Sequence, residues 1–177
     1  TDSNGCINTD TVVISLYEGA NAEAGFDQNI CPNDSVILTG SGGVTYHWEP
    51  ENLIDQPDSA VVIVTPNENM YYFVEVTDTN GCGDTDSLQI RVYNAYTSPD
   101  TIICIGDSVQ ANILGDASTT FNWTPTIAMS DSYIDNPILF PTNTTTYFVE
   151  IGNSANCQII DSLSVSYTHL RAHETDR

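Results

Sequence analysis

The chain contains two copies of one sequence pattern, and this internal repeat constrains its fold more than any other feature. Each copy holds a cysteine, an aromatic-x-Trp-x-Pro motif, the run Tyr-Phe-Val-Glu, a second cysteine and the tripeptide Asp-Ser-Leu. Trp48 and Trp123 lie 75 residues apart. Cys31 and Cys104 lie 73 residues apart, so the second copy has two more residues between its first cysteine and its tryptophan. A unit of this length can bury a small core of its own, so the repeat predicts a tandem array of domains.

The repeat also sets the predicted domain boundaries, which are residues 24–93 and 98–165. Residues 1–16 contain an Asn-Gly-Cys run followed by Thr-Asp, as the segment around Cys82 does, and we interpret them as the last strand of a truncated preceding repeat. Residues 167–177 hold two of the three arginines and two of the three histidines. They resemble translated sequencing-adapter sequence, so we expect a non-native tail on a fragment of metagenomic origin.

Composition excludes several classes of protein. The chain has 24 acidic and 3 basic residues and a net charge of −21. Such a surface repels phosphate groups, so we expect neither nucleic acid nor an anionic membrane surface as a partner. No run of residues approaches the length of about 18 apolar residues that a membrane span requires. A hydrophobic content of 40% argues for a folded chain rather than a disordered one.

The cysteines predict disulfides and an oxidising compartment. The repeat assigns one pair to each copy, Cys31 with Cys82 and Cys104 with Cys157, each bond clipping one end of its domain. Cys6 corresponds in position to Cys82 and is expected to be unpaired in this chain. Because disulfides persist mainly outside the cytosol, this pattern predicts an extracellular or cell-surface protein.

The local pattern consists of short strands and turns. Runs of β-branched and aromatic residues alternate with polar ones, as at Leu88, Ile90 and Val92, and are bounded by Gly, Pro, Asn and Asp. No segment keeps a helical period over ten residues. The pattern therefore predicts an all-β fold with two antiparallel sheets in a Greek-key sandwich. Trp48 and Trp123 are expected in the core, and stacking on a sugar ring is the alternative.

The combined motifs resemble a known class of repeat over residues 1 to about 165. Together, aromatic-x-Trp-x-Pro, Thr-Tyr-Phe-Val-Glu, Asn-Gly-Cys and Asp-Ser-Leu resemble the PKD-like, immunoglobulin-like repeats of large secreted Bacteroidota surface proteins. Those proteins often end in a gliding-motility-associated or type IX secretion sorting domain. The resemblance implies tandem Ig-like (PKD-like) sandwiches in an extracellular location. The second copy has Ala155-Asn156-Cys157 in place of Asn80-Gly81-Cys82, so we expect its last turn to differ in type.

Catalytic motifs are absent from the sequence. His47 is the only histidine before the C-terminal tail, and the second copy has Asn122 at the equivalent position. There is no nucleophile elbow, Walker loop or Rossmann glycine pattern. We therefore expect no enzymatic activity, no catalytic residue and no cofactor other than calcium.

Four aspartates near the predicted domain junction are candidate calcium ligands, because hard cations prefer carboxylate oxygens. They do not follow a fixed-spacing loop motif. The candidates are Asp78, Asp84, Asp86 and Asp100.

The tripeptide Asp-Ser/Thr-aliphatic occurs seven times and resembles the O-glycosylation sequon of exported Bacteroidota proteins. The alternative interpretation is a turn that leads into a strand. If the hydroxyls are modified, they should face outward while the following aliphatic residues face the core. The candidate attachment sites are Thr11, Ser35, Ser59, Ser87, Thr101, Ser108 and Ser162.

Non-catalytic functions remain. We expect spacer or stalk repeats in a large extracellular or adhesin protein, because the connections are short and Pro99 stiffens one of them. The alternative is a glycan- or protein-binding module that acts through loops at the ends of the sandwiches. A calcium-stiffened junction is a third hypothesis. The expected partners are neighbouring repeats of the same chain and, under the alternative, an extracellular glycan or protein.

Overall fold

The computed structural model describes residues 4–5, 7, 9–16 and 18–168. The prediction for Cys6 and the tail from residue 169 onward lie outside the described residues. The described part contains fourteen β-strands, a short 3-10 turn at Glu51–Leu53 and no α-helix. This confirms the all-β prediction. None of the described segments is a helix long and apolar enough to cross a membrane.

Six strands lie in the first half of the chain and form two sheets. They are β1 (Gln28–Ile30), β2 (Val36–Thr39), β3 (Thr45–Glu49), β4 (Val61–Val64), β5 (Met70–Thr77) and β6 (Gly83–Val92). One sheet has the order β1-β6-β5-β3, and the other pairs β2 with β4. The first strand runs parallel to the last, while β3 runs antiparallel to β5, so the prediction of purely antiparallel sheets is wrong for this outer pair.

Eight strands lie in the second half and form three sheets. They are β7 (Ala95–Thr97), β8 (Thr101–Cys104), β9 (Val109–Gln110), β10 (Ile113–Gly115), β11 (Thr120–Thr124), β12 (Ile138–Leu139), β13 (Thr145–Gly152) and β14 (Gln158–Thr168). The sheet β11-β13-β14-β8 corresponds to the four-stranded sheet of the first half, and the other two sheets pair β7 with β10 and β9 with β12. Here too the first long strand, β8, pairs in parallel with the last, β14. Strand β14 continues three residues past the predicted boundary at residue 165.

The core of the second copy lies between its sheets. Strand β13 alternates, with Tyr147, Val149 and Ile151 fully buried and the residues between them exposed. Trp123 on β11 and Leu139 on β12 come from different sheets and belong to the same buried cluster. Because side chains from two sheets meet in one core, this copy is a β-sandwich.

Both tryptophans are core residues, as the sequence predicts. Trp48 and Trp123 are each 0% exposed. Their Nε1 atoms donate hydrogen bonds to the carbonyl oxygens of Ser59 and Ile134, at 3.1 and 3.0 Å. In both cases a large apolar ring is buried and its one polar atom has a hydrogen-bond acceptor. Each also stands two residues before a cis proline.

The Cα trace separates into two compact units that interleave along the sequence. One unit comprises the described residues up to Gly25 together with Leu38–Val62 and Phe73–Ser87; the other comprises Phe26–Ile37, Ile63–Tyr72 and the described residues from Leu88 onward. The boundaries at 24–93 and 98–165 describe the sequence repeat, and as folding domains they stay a prediction.

Residues 9–16 form no strand, although the sequence predicts the last strand of a preceding repeat within residues 1–16. The side chains of Val12, Ile14 and Leu16 are 80%, 85% and 96% exposed. An isolated segment with no neighbouring strand cannot complete its backbone hydrogen bonds in a sheet. The origin of this segment in a preceding repeat stays a prediction.

Candidate functional site

The described cysteines form a disulfide that crosses from one copy to the other. Cys31 is bonded to Cys157, with 5.1 Å between their Cα atoms and a sequence separation of 126. Cys82 and Cys104 are free and exposed. The predicted pairs, Cys31 with Cys82 and Cys104 with Cys157, are therefore wrong.

The parallel pairing of first and last strands explains this correction in the first copy. Ile30 of β1 is in register with Val92, so Cys31 lies beside the C-terminal end of β6. Cys82 directly precedes Gly83, at the N-terminal end of the same strand. A strand rises about 3.3 Å per residue, so the length of β6 separates the two cysteines by roughly 30 Å. Bridging cysteines must have Cα atoms within about 7 Å.

The second copy has the same geometry. Cys104 at the end of β8 is in register with Thr168 at the end of β14. Cys157 directly precedes Gln158, where β14 begins. Each copy therefore carries one cysteine at each end of its last strand. We call Cys31 and Cys104 the strand-end cysteines, and Cys82 and Cys157 the turn cysteines.

The two strand-end cysteines begin equivalent turns. The backbone nitrogens of Asp34 and Asp107 donate to the carbonyl oxygens of Cys31 and Cys104, at 3.2 and 3.1 Å. The residue before each aspartate has a positive φ, 67° in the asparagine of the first copy and 85° in the glycine of the second. Asparagine and glycine adopt this conformation readily. The backbone therefore leaves both cysteines in the same local geometry.

The two turn cysteines close equivalent turns as well. The N–H groups of Cys82 and Cys157 donate to Asp78 Oδ1 and Asn153 Oδ1, at 2.9 and 3.0 Å. Their carbonyl oxygens accept the backbone N–H of the same two residues, at 2.9 and 3.1 Å. The residue before the cysteine has φ of 82° in the glycine of the first copy and 63° in the asparagine of the second. The predicted difference in turn type is wrong, because asparagine tolerates the left-handed region that glycine occupies.

Aspartates fasten the first segment of each copy to its last strand. In both copies, a carboxylate on the last strand accepts a backbone N–H from the first segment, and a carboxylate on the first segment accepts a backbone N–H from the last strand. We call each such pair of hydrogen bonds an aspartate clamp. The bonds are Ala24 to Asp86 at 2.8 Å, Gln89 to Asp27 at 2.9 Å, Thr97 to Asp161 at 2.8 Å and Ser164 to Asp100 at 2.8 Å. Hydrogen bonds to a charged acceptor are stronger than those between neutral groups.

The candidate calcium ligands all accept backbone hydrogen bonds. Asp86 and Asp100 belong to the clamps, and Asp84 Oδ2 accepts the N–H of Ala22 at 2.8 Å. The N–H of Cys82 and that of its neighbour Asn80 hold the pKa of Asp78 below its ordinary value. Asp84 and Asp86 share strand β6. Over the described ranges, no group of three or more His, Cys, Asp or Glu residues is placed to hold a metal ion. Calcium binding stays a prediction.

The candidate glycosylation hydroxyls mostly face solvent. Thr11, Ser35, Ser87, Ser108 and Ser162 are exposed, and Ser59 and Thr101 are half-buried. Among the aliphatic residues that follow them, the buried ones are Val36, Leu88 and Leu163, and Val109 is half-buried. The aspartates of two tripeptides, Asp86 and Asp161, are clamp residues, so their recurrence has a structural cause. Modification of the hydroxyls stays a prediction.

His47 lies on the surface of β3 and forms an ion pair. Its Nδ1 is 2.7 Å from Asp58 Oδ1, and this hydrogen bond raises the pKa of His47 above 6.5. The equivalent Asn122 donates from Nδ2 to Glu150 Oε2 at 3.1 Å. In both copies this position therefore carries a polar pair on the sheet surface.

Two adjoining cavities lie beside the disulfide. One, of about 250 Å³, is lined by Asn29, Arg91, Val92, Tyr93, Asn153 and Cys157, among others. An open groove of about 530 Å³ shares Tyr93 and Asp116 with it and adds Asn67 and Tyr96. Asp116 is held in place by Asn94, whose N–H donates to Oδ2 at 2.8 Å and whose carbonyl accepts the Asp116 N–H at 2.7 Å.

The strand order, the two-sheet core and the parallel first and last strands define an Ig-like β-sandwich. No family model and no curated protein matches the chain. Among solved structures, it is similar to the insect immune protein hemolin at 14% identity, over 87% of this chain and 48% of that one, with a TM-score of 0.44. It is also similar to the human desmocollin-1 ectodomain at 12% identity, over 92% and 39%, with a TM-score of 0.46.

A PKD domain, from the KIAA 1837 protein, matches at 25% identity over 44% of this chain and 90% of that one, with a TM-score of 0.37. The chain spans about half the length of the hemolin and Dscam1 structures that it matches, 48% in each case. All of these TM-scores are below 0.5, so the assignment to the Ig-like class rests on the strands and core of the chain itself.

Proposed function

We propose that this chain is a non-catalytic spacer, a segment of the stalk of a large extracellular or cell-surface protein. The observation that carries the proposal is the Cys31–Cys157 bond, which joins one sequence repeat covalently to the next. A bond of this kind limits how far two repeats can separate when the chain is pulled. Disulfides persist in oxidising compartments, which supports the extracellular location. The resemblance to repeats of Bacteroidota surface proteins supports the same function.

The parallel first and last strands support a mechanical function. In the second copy the chain enters at Thr101, where β8 begins, and leaves after Thr168, where β14 ends. Because β8 and β14 are parallel, these two points lie at opposite ends of the pair. With the Cys31–Cys157 bond intact, β8 lies inside the closed loop and carries no load. Once that bond is reduced, a force along the chain shears all the hydrogen bonds of the β8–β14 pair together instead of breaking them one by one. The clamp carboxylates of Asp100 and Asp161 add two charge-assisted bonds across the same boundary.

Single-molecule stretching tests this function. With the disulfide intact, the 126-residue span between Cys31 and Cys157 cannot lengthen. A reductant should then release roughly 430 Å of contour length, at about 3.4 Å per residue. The Cys82→Ser variant is the matched control and should behave like the unaltered chain. A chain that reaches its full contour length without reductant would contradict the proposal.

Binding of an extracellular glycan or protein is the second candidate function. The groove of about 530 Å³ favours it, because amide, carboxylate and tyrosine side chains line it together. Polar groups converging beside aromatic rings are typical of ligand sites. Tyr96 is 46% exposed within this groove, so Tyr96→Ala should remove contact area without opening the core. Glycan-array binding that this variant loses would support the function; an unaltered chain that binds nothing on the array would count against it.

A further inference from the structure

The bond that forms joins one strand-end cysteine to one turn cysteine. Cys31 is the strand-end cysteine of the first copy, and Cys157 is the turn cysteine of the second. Each copy carries one cysteine of each kind, so the bond leaves one of each unused. These are the turn cysteine of the first copy, Cys82, and the strand-end cysteine of the second, Cys104, and both are exposed. The two free cysteines are therefore one of each kind, like the two cysteines that form the Cys31–Cys157 bond.

The local backbone prepares both free cysteines for the same bond. Cys104 begins a turn with the same hydrogen bond and the same positive φ position as the turn at Cys31. Cys82 closes a turn with the same side-chain and backbone hydrogen bonds as the turn at Cys157. Each thiol is therefore carried by the backbone conformation that its bonded equivalent uses.

The segment that leads into each copy, which we call the entering segment, passes close to the turn cysteine of that copy. In the second copy the entering segment includes Val92, which lines the same cavity as Cys157. Val92 is also the residue in register with Ile30, so the strand-end cysteine of the first copy arrives alongside it. In the first copy the corresponding segment passes Cys82 in the same way, because a Cβ placed on Gly19 would lie 3.5 Å from the Cys82 Cβ.

The next residues of the entering segment also repeat. Asn21 and Asn94 each make a backbone hydrogen bond to the facing turn, and the two bonds differ in direction: the N–H of Asn21 donates to the carbonyl of Gly42 at 3.2 Å, whereas the carbonyl of Asn94 accepts the N–H of Asp116 at 2.7 Å. Gly42 and Gly115 both have φ of +99°, and a Cβ on either would clash with the backbone of the facing asparagine. The segment that enters each copy therefore runs past a turn cysteine and an equivalent glycine, Cys82 and Gly42 in the first copy and Cys157 and Gly115 in the second.

We propose that Cys82 and Cys104 are half-sites for inter-repeat disulfides, and that their ligands are the complementary cysteines of adjoining repeats of this class. Cys82 takes the strand-end cysteine of a repeat stacked before it, and Cys104 takes the turn cysteine of a repeat stacked after it. This inference rests on the proposed spacer function and names its binding partner. A second molecule of this chain offers both complementary cysteines.

The bond forms by two thiol–disulfide exchanges with a small-molecule disulfide such as oxidised glutathione. The Cys104 thiolate attacks one glutathione sulfur, forming a mixed disulfide and releasing one glutathione thiolate. The Cys82 thiolate of the neighbouring repeat then attacks the Cys104 sulfur and displaces the second glutathione. Two protein thiols lose their protons and are oxidised, while one glutathione disulfide is reduced to two thiols.

The test uses the full chain with Cys6→Ser, which removes the fifth cysteine. From this protein, one variant adds Cys82→Ser and another adds Cys104→Ser. Each is incubated alone, and the two are mixed in equal amounts, in glutathione redox buffer. Non-reducing gels and peptide mapping then identify the cross-links, and mapping also checks that Cys31–Cys157 persists. Both positions are exposed, so the substitutions leave the cores unchanged.

We expect the mixture to give at least about tenfold more dimer than either variant alone, joined by Cys82 and Cys104. The chain with both cysteines should form a ladder of head-to-tail oligomers, since a heterologous contact does not close on itself. Symmetric dimers of either single variant in amounts equal to the mixture would overturn the proposal, because exposure alone would then explain the cross-linking. A mixture that stays monomeric would also overturn it. The stretching experiment depends only on Cys31–Cys157, so failure here and failure of the spacer function are distinguishable.

Discussion

Replacing Asp161 with alanine tests whether the aspartate clamp stabilises the fold. Asp161 Oδ2 accepts two hydrogen bonds from Thr97, from the backbone N–H at 2.8 Å and from Oγ1 at 3.2 Å. Thr97 is only 6% exposed, so water does not readily replace a lost acceptor. Its hydroxyl retains a second acceptor, the carbonyl of Ser162 at 3.3 Å. The alanine variant therefore leaves mainly the Thr97 N–H without an acceptor.

The expected cost follows from that single buried donor. A buried N–H left without an acceptor costs about 1–3 kcal/mol, and loss of a charged acceptor places Asp161→Ala in the upper half of that range. Asp161→Asn keeps an oxygen that can accept the N–H, so it should cost about 1 kcal/mol. Asp107→Ala is the matched control, because Asp107 is exposed and its carboxylate makes no hydrogen bond within the described residues. Its effect should stay within about 0.5 kcal/mol.

Urea unfolding and hydrogen exchange measure these differences. The urea midpoint should be highest for Asp107→Ala, lower for Asp161→Asn and lowest for Asp161→Ala, with the slope of the transition unchanged. Exchange of the Thr97 amide should accelerate most in Asp161→Ala, by about 30-fold for a loss of 2 kcal/mol. An Asp161→Ala variant no less stable than Asp107→Ala would show that the clamp does not stabilise the fold. An Asp161→Asn variant as unstable as Asp161→Ala would contradict the role of the accepting oxygen.

Three further predictions concern the disulfide, the histidine pair and calcium. Cys157→Ser opens a loop with a sequence separation of 126, so in the chain-entropy model it should lower the free energy of unfolding by about 5 kcal/mol. Cys82→Ser should change this free energy by less than about 0.5 kcal/mol. Equal urea midpoints for the two variants would refute the Cys31–Cys157 pairing. His47 should titrate in NMR spectra above 6.5 because Asp58 favours its charged form, so its small contribution to stability is present below pH 6.5 and is lost as the pH rises through the raised pKa. Asp58→Asn should return the pKa of His47 towards 6.5, and an unchanged titration would contradict this cause. If the four candidate aspartates share a cation, calcium should raise the melting temperature more than sodium at matched ionic strength, and identical melting curves would leave only charge screening.

Features that depend on local periodicity could be predicted from the sequence. The alternation around Leu88, Ile90 and Val92 gives a strand with one face in the core, and the structure buries all three. Trp48 and Trp123 are buried for the same reason, since each lies on the inward face of its strand, two residues after a half-buried aromatic residue, Tyr46 or Phe121. These properties follow from side-chain direction along a strand, which repeats every two residues.

The disulfide could not be predicted in this way, because it depends on the direction of one strand relative to another. Spacing places Cys31 and Cys82 once in each repeat but does not reveal that β1 runs parallel to β6. That orientation sends the two cysteines to opposite ends of the sheet. The aspartate clamp could not be predicted for a related reason, since Asp27 and Gln89 meet only across the same parallel pair. The recurring Asp-Ser-Leu tripeptide was the one sequence feature that indicated a repeated position for the clamp aspartate of the last strand.

The crossing bond between Cys31 and Cys157 has a genetic consequence for any array built on this plan. Duplication or loss of one whole repeat adds or removes one cysteine of each kind, so every internal cysteine regains a neighbour of the complementary kind. The number of unmatched thiols therefore stays at two, one at each end, whatever the number of repeats. Unequal recombination can lengthen or shorten such a protein without exposing new thiols along its length. The same bond gives the array a direction, because its two unmatched ends are chemically different.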